Sequence, residues 1–150
     1  MSANNRLTLA AHTLVLMAAH APESNELVTS EQIAVSANTN SVVIRRILGQ
    51  LKAAGVVESR RGVGAGWRLV KDPSQITLQD IYEAIEPGHL FALHGAQPNQ
   101  QCVVGRGIQP ILTHRYRRAD LALRKELAAT TVADLLNDVV SAPRRRSATR

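Results

Sequence analysis

The chain has 150 residues, of which 45% are hydrophobic and only 3% aromatic, so we expect one domain with an aliphatic core and an appendage. Its single cysteine, Cys102, excludes a disulfide and a cysteine-based zinc or iron–sulfur site within one chain. The formal net charge of +6 is unevenly placed: residues 40–71 hold seven basic side chains and one acid, and residues 144–150 hold four arginines and no acid. This distribution is typical of a nucleic-acid-binding element followed by a basic tail.

Secretion and membrane insertion are not expected. The apolar run from Leu7 to Ala19 faintly resembles a signal peptide, but His12 and Thr13 interrupt it. No apolar run reaches the roughly 18 residues that a spanning helix needs. The sequence therefore predicts a cytoplasmic protein without membrane contact.

Three helices are predicted in the first part of the chain. Residues 5–20 place apolar side chains on one helical face. Thr29 and Gln32 have the spacing of a capping box, which indicates that a short second helix begins there. Asn40 closes an Asn-rich turn and is expected to cap a longer helix over residues 41–54.

The third predicted helix has two chemically different faces. Apolar residues at spacings of three and four predict its buried face, which is formed by Ile44, Ile47, Leu48 and Leu51. The opposite, outward face carries Ser41, Val42, Arg45 and Arg46. Gly55 follows where a left-handed helix cap is expected.

A β-hairpin and a fourth helix are predicted next. Residues 56–60 and 66–70 read as two strands, and the glycine-rich stretch between them reads as their turn. Thr77 is then expected to cap a helix that ends near Ile85. The order of elements up to this point is that of a winged helix-turn-helix, with the hairpin as its wing.

The remaining chain predicts an irregular segment and a long helix. Residues 86–104 contain several Pro and Gly residues, and a structureless stretch of that length is often functional. A helix over residues 105–129 and a short one from Thr131 follow. The predicted fold class is therefore mainly α with a small β-hairpin wing (α+β). The predicted domains are a DNA-binding winged helix-turn-helix over 1–86, a sensor segment over 87–104, dimerisation helices over 105–139 and a disordered basic tail over 140–150.

These elements favour binding of double-stranded DNA. A helix with an apolar inner face can dock on the domain while its outer face reaches base edges in the major groove. A glycine-rich wing tip lets backbone N–H groups approach phosphates or the minor groove. The candidate DNA-binding residues are Thr29, Asn40, Ser41, Val42, Arg45, Arg46, Arg60, Arg61, Gly62, Gly64 and Arg68.

The long helix predicts a homodimer. It measures roughly 37 Å at 1.5 Å per residue, which is more than one small domain can cover. Its apolar residues at helical spacing form the candidate dimer seam: Ile108, Leu112, Tyr116, Ala119, Leu123 and Leu127. The alternative is that this face packs only on its own domain. Two recognition helices of a dimer would read two half-sites of a partly palindromic operator.

Cys102 is a candidate sensor. It precedes the start of the long helix, where a helix N-terminus and Arg106 would favour a thiolate. Oxidation would give a sulfenic acid, a mixed disulfide or a bridge between subunits. The alternative is a buried cysteine that acts as a small hydrophobe. The five histidines form no close ligand pair, so no metal is expected.

The stretch from Ile33 to Pro87 resembles the Rrf2 family of winged-helix transcription regulators. The matching motifs are Leu48-Gly-Gln-Leu-Lys-Ala-Ala-Gly55, Glu58-Ser-Arg-Arg-Gly62 and Ile76-Thr-Leu78. Residues 38–46, Leu90-Phe-Ala-Leu-His94 and Cys102-Val-Val-Gly105 are similar to its YwnA-like branch. The resemblance implies a homodimer, held by the long helix, on a partly palindromic operator. Ala65 stands where the family has glycine, and the three cysteines of cluster-binding members are reduced to one, so no iron–sulfur cofactor is expected.

Two other classes of function remain open. An enzyme would need a nucleophile with a base, or paired carboxylates, and neither stands out. A winged-helix module that binds protein or RNA is the second alternative, although such modules often lose the outward basic face that is present here. Repression is the expected mode of regulation, because a small protein on an operator blocks polymerase.

Overall fold

The computed structural model describes residues 5–21, 27–86 and 88–143. In chain order, the helices are α1 (Arg6–His20), α2 (Ser30–Ala37), α3 (Ser41–Ala53), α4 (Leu78–Ile85), α5 (Val103–Ala128) and α6 (Val132–Ser141). Strands β1 (Val57–Arg60) and β2 (Gly66–Leu69) lie between α3 and α4, followed by a 3-10 turn at Pro73–Gln75. The mainly α fold with a two-stranded wing is thus confirmed.

The predicted caps form and fix where α2 and α3 begin. The backbone N–H of Gln32 donates to Thr29 Oγ1 at 3.2 Å, and Thr29 N–H donates back to Gln32 Oε1 at 2.8 Å. Between the helices Asn38 adopts a left-handed conformation with φ of 50°, which asparagine tolerates. Asn40 Oδ1 then accepts from Val42 N–H at 2.7 Å. These contacts set the direction of α3.

A small aliphatic core joins the helices. The fully buried side chains include Leu14, Ile33, Ile44, Ile47, Leu48, Leu51, Val57, Ile76, Ile81, Ile85 and Val132. Burial of each such side chain stabilises the fold by about 1.5–3 kcal/mol. The predicted inner face of α3 is confirmed, so its outer face is fixed by packing.

The chain after α5 returns to this core. α6 packs against α1, and Val132 is fully buried. Val132 N–H donates to Ile76 O at 2.8 Å, and Leu78 N–H donates to Thr130 O at 2.9 Å. The C-terminal end of α5 is therefore anchored beside the start of α4.

The wing is an antiparallel two-stranded hairpin with one extra bridge. Val57 pairs with Leu69 and Arg60 with Gly66. Val28 adds a bridge on the other side of β2 through two backbone hydrogen bonds with Trp67, at 3.0 and 2.8 Å. A Cβ atom at Gly66 would lie 2.8 Å from the Cβ of Leu27, so this position requires glycine.

Helix α5 begins at Val103, two residues before the predicted start. Cys102 is its N-cap, and the preceding turn is closed by Cys102 N–H donating to Asn99 O at 3.2 Å. The helix runs for 26 residues through Pro110, and none of its residues is buried within the chain.

Candidate nucleic-acid interface

The outer face of α3 is exposed as predicted. Val42 is 55% exposed and Arg46 is also exposed, while Ser41 is half-buried at the first turn. The side chain of Arg46 forms no ion pair within the described part of the chain. This arginine is therefore available to a ligand outside the protein.

Arg45 was predicted on the outward face of α3, and the structure shows that residues of α2 hold its side chain. Its Nη2 donates to Glu31 Oε1 at 2.5 Å, and its Nε donates to Ser30 Oγ at 3.3 Å. The hydrogen bond from Arg45 lowers the pKa of Glu31 below its usual value of 4.5. The guanidinium is thus tied to the first turn of α2 rather than extended along the outer face of α3.

The wing presents two arginines and an apolar tip. Arg60 and Arg61 are exposed, whereas Arg68 is paired with Glu58 on the neighbouring strand. Gly62 and Gly64 both have positive φ angles, so the turn between them needs residues that tolerate this conformation. The side chain they flank, Val63, is fully exposed.

A groove separates the start of α2 from the wing. It has a volume of about 350 Å³, and its lining includes Thr29, Ser30 and Glu31 of the α2 start and Arg60, Arg61 and Trp67 of the wing. The first residues of α2 thus line one wall, where Arg45 pairs with the Glu31 carboxylate, and two arginines add positive charge on the wing side. The structure thus brings Thr29 together with the wing arginines, although they lie about 30 residues apart in sequence.

Three residues of this surface were not among the sequence candidates: Glu31, Lys52 and Val63. The exposure of Val63 could have been predicted from the sequence, because the two glycines that flank it in the hairpin turn have no side chains to cover it. Lys52 donates to Ser59 Oγ at 2.8 Å and lies 5.9 Å from the ring centroid of Trp67. The role of Glu31 could not be predicted from local sequence, because its partner Arg45 lies 14 residues away.

The long helix presents a second surface. Of the candidate seam residues, Ile108 and Ala119 are exposed, and Leu112, Tyr116, Leu123 and Leu127 are half-buried. The ring of Tyr116 contacts Phe91 of its own chain at a centroid distance of 4.9 Å. Further exposed apolar residues lie on the same side of α5 as Ile108, namely Val104, Ile111 and Ala122.

Arg124 joins α5 to its surroundings. Its guanidinium donates to Asp120 Oδ2 at 2.9 Å, to Glu83 Oε1 at 2.8 Å and to the carbonyl of Gly88 at 3.0 Å. The hydrogen bond to Asp120 and the charge of Glu83 raise the pKa of Arg124. One side chain thus ties the long helix to α4 and to the irregular segment.

Cys102 is exposed at the N-terminus of α5. The turn before it lies close to the helix, because a Cβ atom at Gly105 would be 2.4 Å from Asn99 O. The carbonyl of His94 accepts a long hydrogen bond of 3.5 Å from Gln109 Nε2. Because the Cys102 side chain is exposed within the chain, the alternative of a buried cysteine is wrong.

The predicted basic tail from Arg144 lies outside the described residues.

A model of the Rrf2 family, described as an iron-dependent transcriptional regulator, matches residues 3–138. A curated relative from Bacillus subtilis (strain 168), named as the HTH-type transcriptional regulator YwnA, is 40% identical over 135 residues. This alignment covers 89% of the chain and 96% of the relative. The chain is therefore similar to a regulator over nearly its whole length.

Two solved structures have the same architecture. One, described as a DNA-binding protein, has 35% identity and a TM-score of 0.71, covering 88% of this chain and 99% of that one. The other, a transcriptional regulator from Lactobacillus plantarum, has 26% identity and a TM-score of 0.77, covering 91% of each chain. The likeness thus extends from the winged domain through the long helix.

An iron centre does not fit the residues present. Iron–sulfur clusters are held by several cysteine thiolates, and the sequence supplies only Cys102. Over residues 5–21, 27–86 and 88–143, no three His, Cys, Asp or Glu side chains converge as a metal site would require.

Among the helices of the described residues, none is both long and apolar enough to cross a bilayer.

Proposed function

Because the chain belongs to the Rrf2 family of transcriptional regulators, we propose that it is a homodimeric repressor that binds a partly palindromic DNA operator. The observation that carries the proposal is the outward face of α3, which is fixed by a buried aliphatic face on a helix that packs against β1 of the arginine-bearing wing. We also propose that this repressor has no catalytic activity, no iron–sulfur cofactor and no membrane contact, and that it acts in the cytoplasm.

Helix α3 would enter the major groove with its N-terminal residues facing base edges. Arg46 can donate two hydrogen bonds to a guanine, and Val42 can contact a thymine methyl group. Arg45 would contact the duplex either after leaving Glu31 or while still paired with it. The cap at Asn40 holds this first turn of α3 in place.

The groove between α2 and the wing would hold the DNA backbone. Backbone N–H groups at a helix N-terminus favour phosphate, and Arg60 and Arg61 add charge on the opposite wall. Val63, carried between Gly62 and Gly64, would then lie at the minor groove. These contacts position the duplex, whereas the α3 side chains supply most of the sequence readout.

The second copy would pack on α5. A 26-residue helix without a buried residue leaves apolar area that a partner helix can cover. Of the candidate seam, Ile108 and Ala119 lie nearest to the exposed residues Ile111 and Ala122. We expect Leu112→Asp to give monomers with weak operator binding, and an unchanged dimer mass by light scattering would contradict the seam.

We further propose that the Cys102 thiol responds to peroxides. A hydroperoxide would convert the thiol to a sulfenic acid and leave as the alcohol, so that sulfur is oxidised and the peroxide bond is reduced. Exposure at the N-cap of α5 supports this role. Cys102→Ser should bind DNA normally and lose the response to mild oxidant, and a mutant that keeps a normal response would end the idea.

Selection of bound duplexes from a random pool at about physiological salt tests the main proposal. We expect a motif with two inverted half-sites about one helical turn apart. Binding without a motif, and lost as salt rises, would mean that the basic surfaces bind DNA without specificity. Such a result would favour a module that binds protein or RNA.

A further inference from the structure

One side of α5 carries a stripe of exposed residues with symmetric spacing. From its middle member, Arg115, the stripe continues by four, three and four residues in each direction. Its other members, all exposed, are Val104, Ile108, Ile111, Ala119, Ala122 and Glu126. Arg115 also lies at the middle of the helix, which runs from Val103 to Ala128. A second copy of the stripe can therefore pair with it over its whole length of about 33 Å.

The two halves of the stripe are complementary in size. The first half carries the large side chains of Ile108 and Ile111, and the second half carries Ala119 and Ala122. In an antiparallel pair centred on Arg115, Ile111 faces Ala119 of the second copy, and Ile108 faces Ala122 of the second copy. Large side chains opposite small ones let two helices interdigitate, whereas an in-register parallel pair places isoleucine on isoleucine. The stripe thus fits an antiparallel second copy.

This packing brings like charges together at its centre. Arg115 of one copy lies beside Arg115 of the other, and Arg118, about one turn along the helix, adds a second pair on the same side of the two-fold axis. Neither arginine forms an ion pair within the described part of the chain. The residues three and four positions from Arg115 include no acid: they are Ile111, Leu112, Arg118 and Ala119.

Four guanidinium groups without acids nearby favour the binding of an anion. Their repulsion is stronger in a helix interface than in water, because the effective dielectric constant is lower there. A guanidinium group donates from a planar fork that matches two oxygens of an oxyanion. An ion with several oxygens and two negative charges can accept from both copies at once.

We propose that the homodimer holds a small dianionic oxyanion of the phosphate type on its two-fold axis. The anion accepts hydrogen bonds from Arg115 of both copies, and Arg118 of each copy adds positive charge at the rim. Each copy supplies half of the donors, so the monomer has no such site and the anion stabilises the dimer by mass action. The proposal rests on the homodimer that we propose above and does not depend on operator binding.

Analytical ultracentrifugation of the DNA-free protein tests the proposal, with inorganic phosphate as the probe. The Kd of the dimer is measured in phosphate and in chloride at equal ionic strength, so that screening is the same in both. About 10 mM phosphate should tighten the dimer about tenfold for a site with a Kd of about 1 mM. Calorimetry should count one phosphate for every two chains.

Arg115→Gln should separate the anion site from simple packing. Loss of the repulsion should make the dimer tighter than the wild type in chloride, and loss of the donor should abolish the response to phosphate. A purely structural effect would change the Kd equally in both solutions. Arg117→Gln is the matched control, because it removes the same charge from the opposite side of α5 and should keep the tenfold response. Circular dichroism confirms that both variants fold.

The possible results separate the anion site from the homodimer. A dimer of equal strength in phosphate and chloride would overturn the site and leave the homodimer standing. The same phosphate response in Arg115→Gln as in Arg117→Gln would also overturn it, and one phosphate for each chain would overturn its position on the axis. A chain that stays monomeric in both solutions would overturn the homodimer and the site together.

Discussion

Gly105→Ala tests how the segment that carries Cys102 is held against α5. The added Cβ would lie 2.4 Å from the carbonyl oxygen of Asn99 and 3.2 Å from its nitrogen, where ordinary contact begins at 3.4 Å. The turn must therefore move by about 1 Å or detach from the helix. Gly107→Ala is a matched control, because a Cβ there has no neighbour within 4 Å among the described residues.

The cost is limited by the cheaper of these two responses. Overpacking costs about 1–3 kcal/mol. Detachment loses the hydrogen bond from Cys102 N–H to Asn99 O, which is worth about 0.5–1.5 kcal/mol. Both substitutions gain up to about 1 kcal/mol from the greater helix propensity of alanine. This gain is common to both variants, so we expect Gly105→Ala to be less stable than Gly107→Ala by about 0.5–1.5 kcal/mol, the cost of the cheaper response.

Urea unfolding of both variants at one protein concentration measures the difference. Alkylation of Cys102 provides a local readout and should be faster in Gly105→Ala, because the turn beside the thiol is displaced. If Gly105→Ala were as stable as Gly107→Ala and its thiol no more reactive, the close contact with Asn99 would not exist in solution.

Three further outcomes are expected. Glu31→Gln should raise the affinity for unrelated DNA about fivefold, because one charge near a phosphate is worth ~1 kcal/mol in water. Asp138→Asn on α6 removes the same charge and should leave this affinity unchanged. Equal effects of the two variants in a filter-binding titration would argue that Glu31 does not lie near the DNA. Ile111→Asp should weaken self-association about a hundredfold by analytical ultracentrifugation, whereas the equally exposed Leu121→Asp on another side of α5 should not. The hydrogen bond from the Thr131 backbone N–H, and secondly the one with the Thr131 side chain, lower the pKa of Asp134 below 3.8. The ionised Asp134 carboxylate therefore stabilises the fold above pH 3.8, and this contribution is lost as the pH falls through the lowered pKa. The difference in urea midpoint between the wild type and Asp134→Asn should accordingly shrink on acidification.

The winged domain was predictable because its signals are local. A capping box needs residues three apart, so Thr29 and Gln32 show where α2 starts before any tertiary contact is known. The buried face of α3 follows from a period of 3.6 residues in the same way. Gly55, expected as a left-handed residue, has a φ of 73°.

The remaining features depend on contacts between distant parts of the chain. The pairing of Arg45 with Glu31 is set by the crossing of two helices, and the contact of Tyr116 with Phe91 is set by the path of the irregular segment. The start of α5 was placed two residues late, at Gly105, whereas the helix begins at Val103. Gly105 lies inside its first turn and approaches Asn99 closely, a contact that depends on the path of the preceding turn and not on residue type alone.

Anchoring of the C-terminal end of α5 has a consequence for the spacing of operator half-sites. Hydrogen bonds around Ile76, Leu78 and Val132, together with Arg124, fix this end of the helix to the winged domain. In a dimer built on α5, the distance and angle between two recognition helices would then be set by a rigid arm rather than by a linker. Each base pair inserted between the half-sites rotates one of them by about 34° and shifts it by about 3.4 Å. Such a protein would tolerate changes of base identity at the operator centre far better than a change in its length.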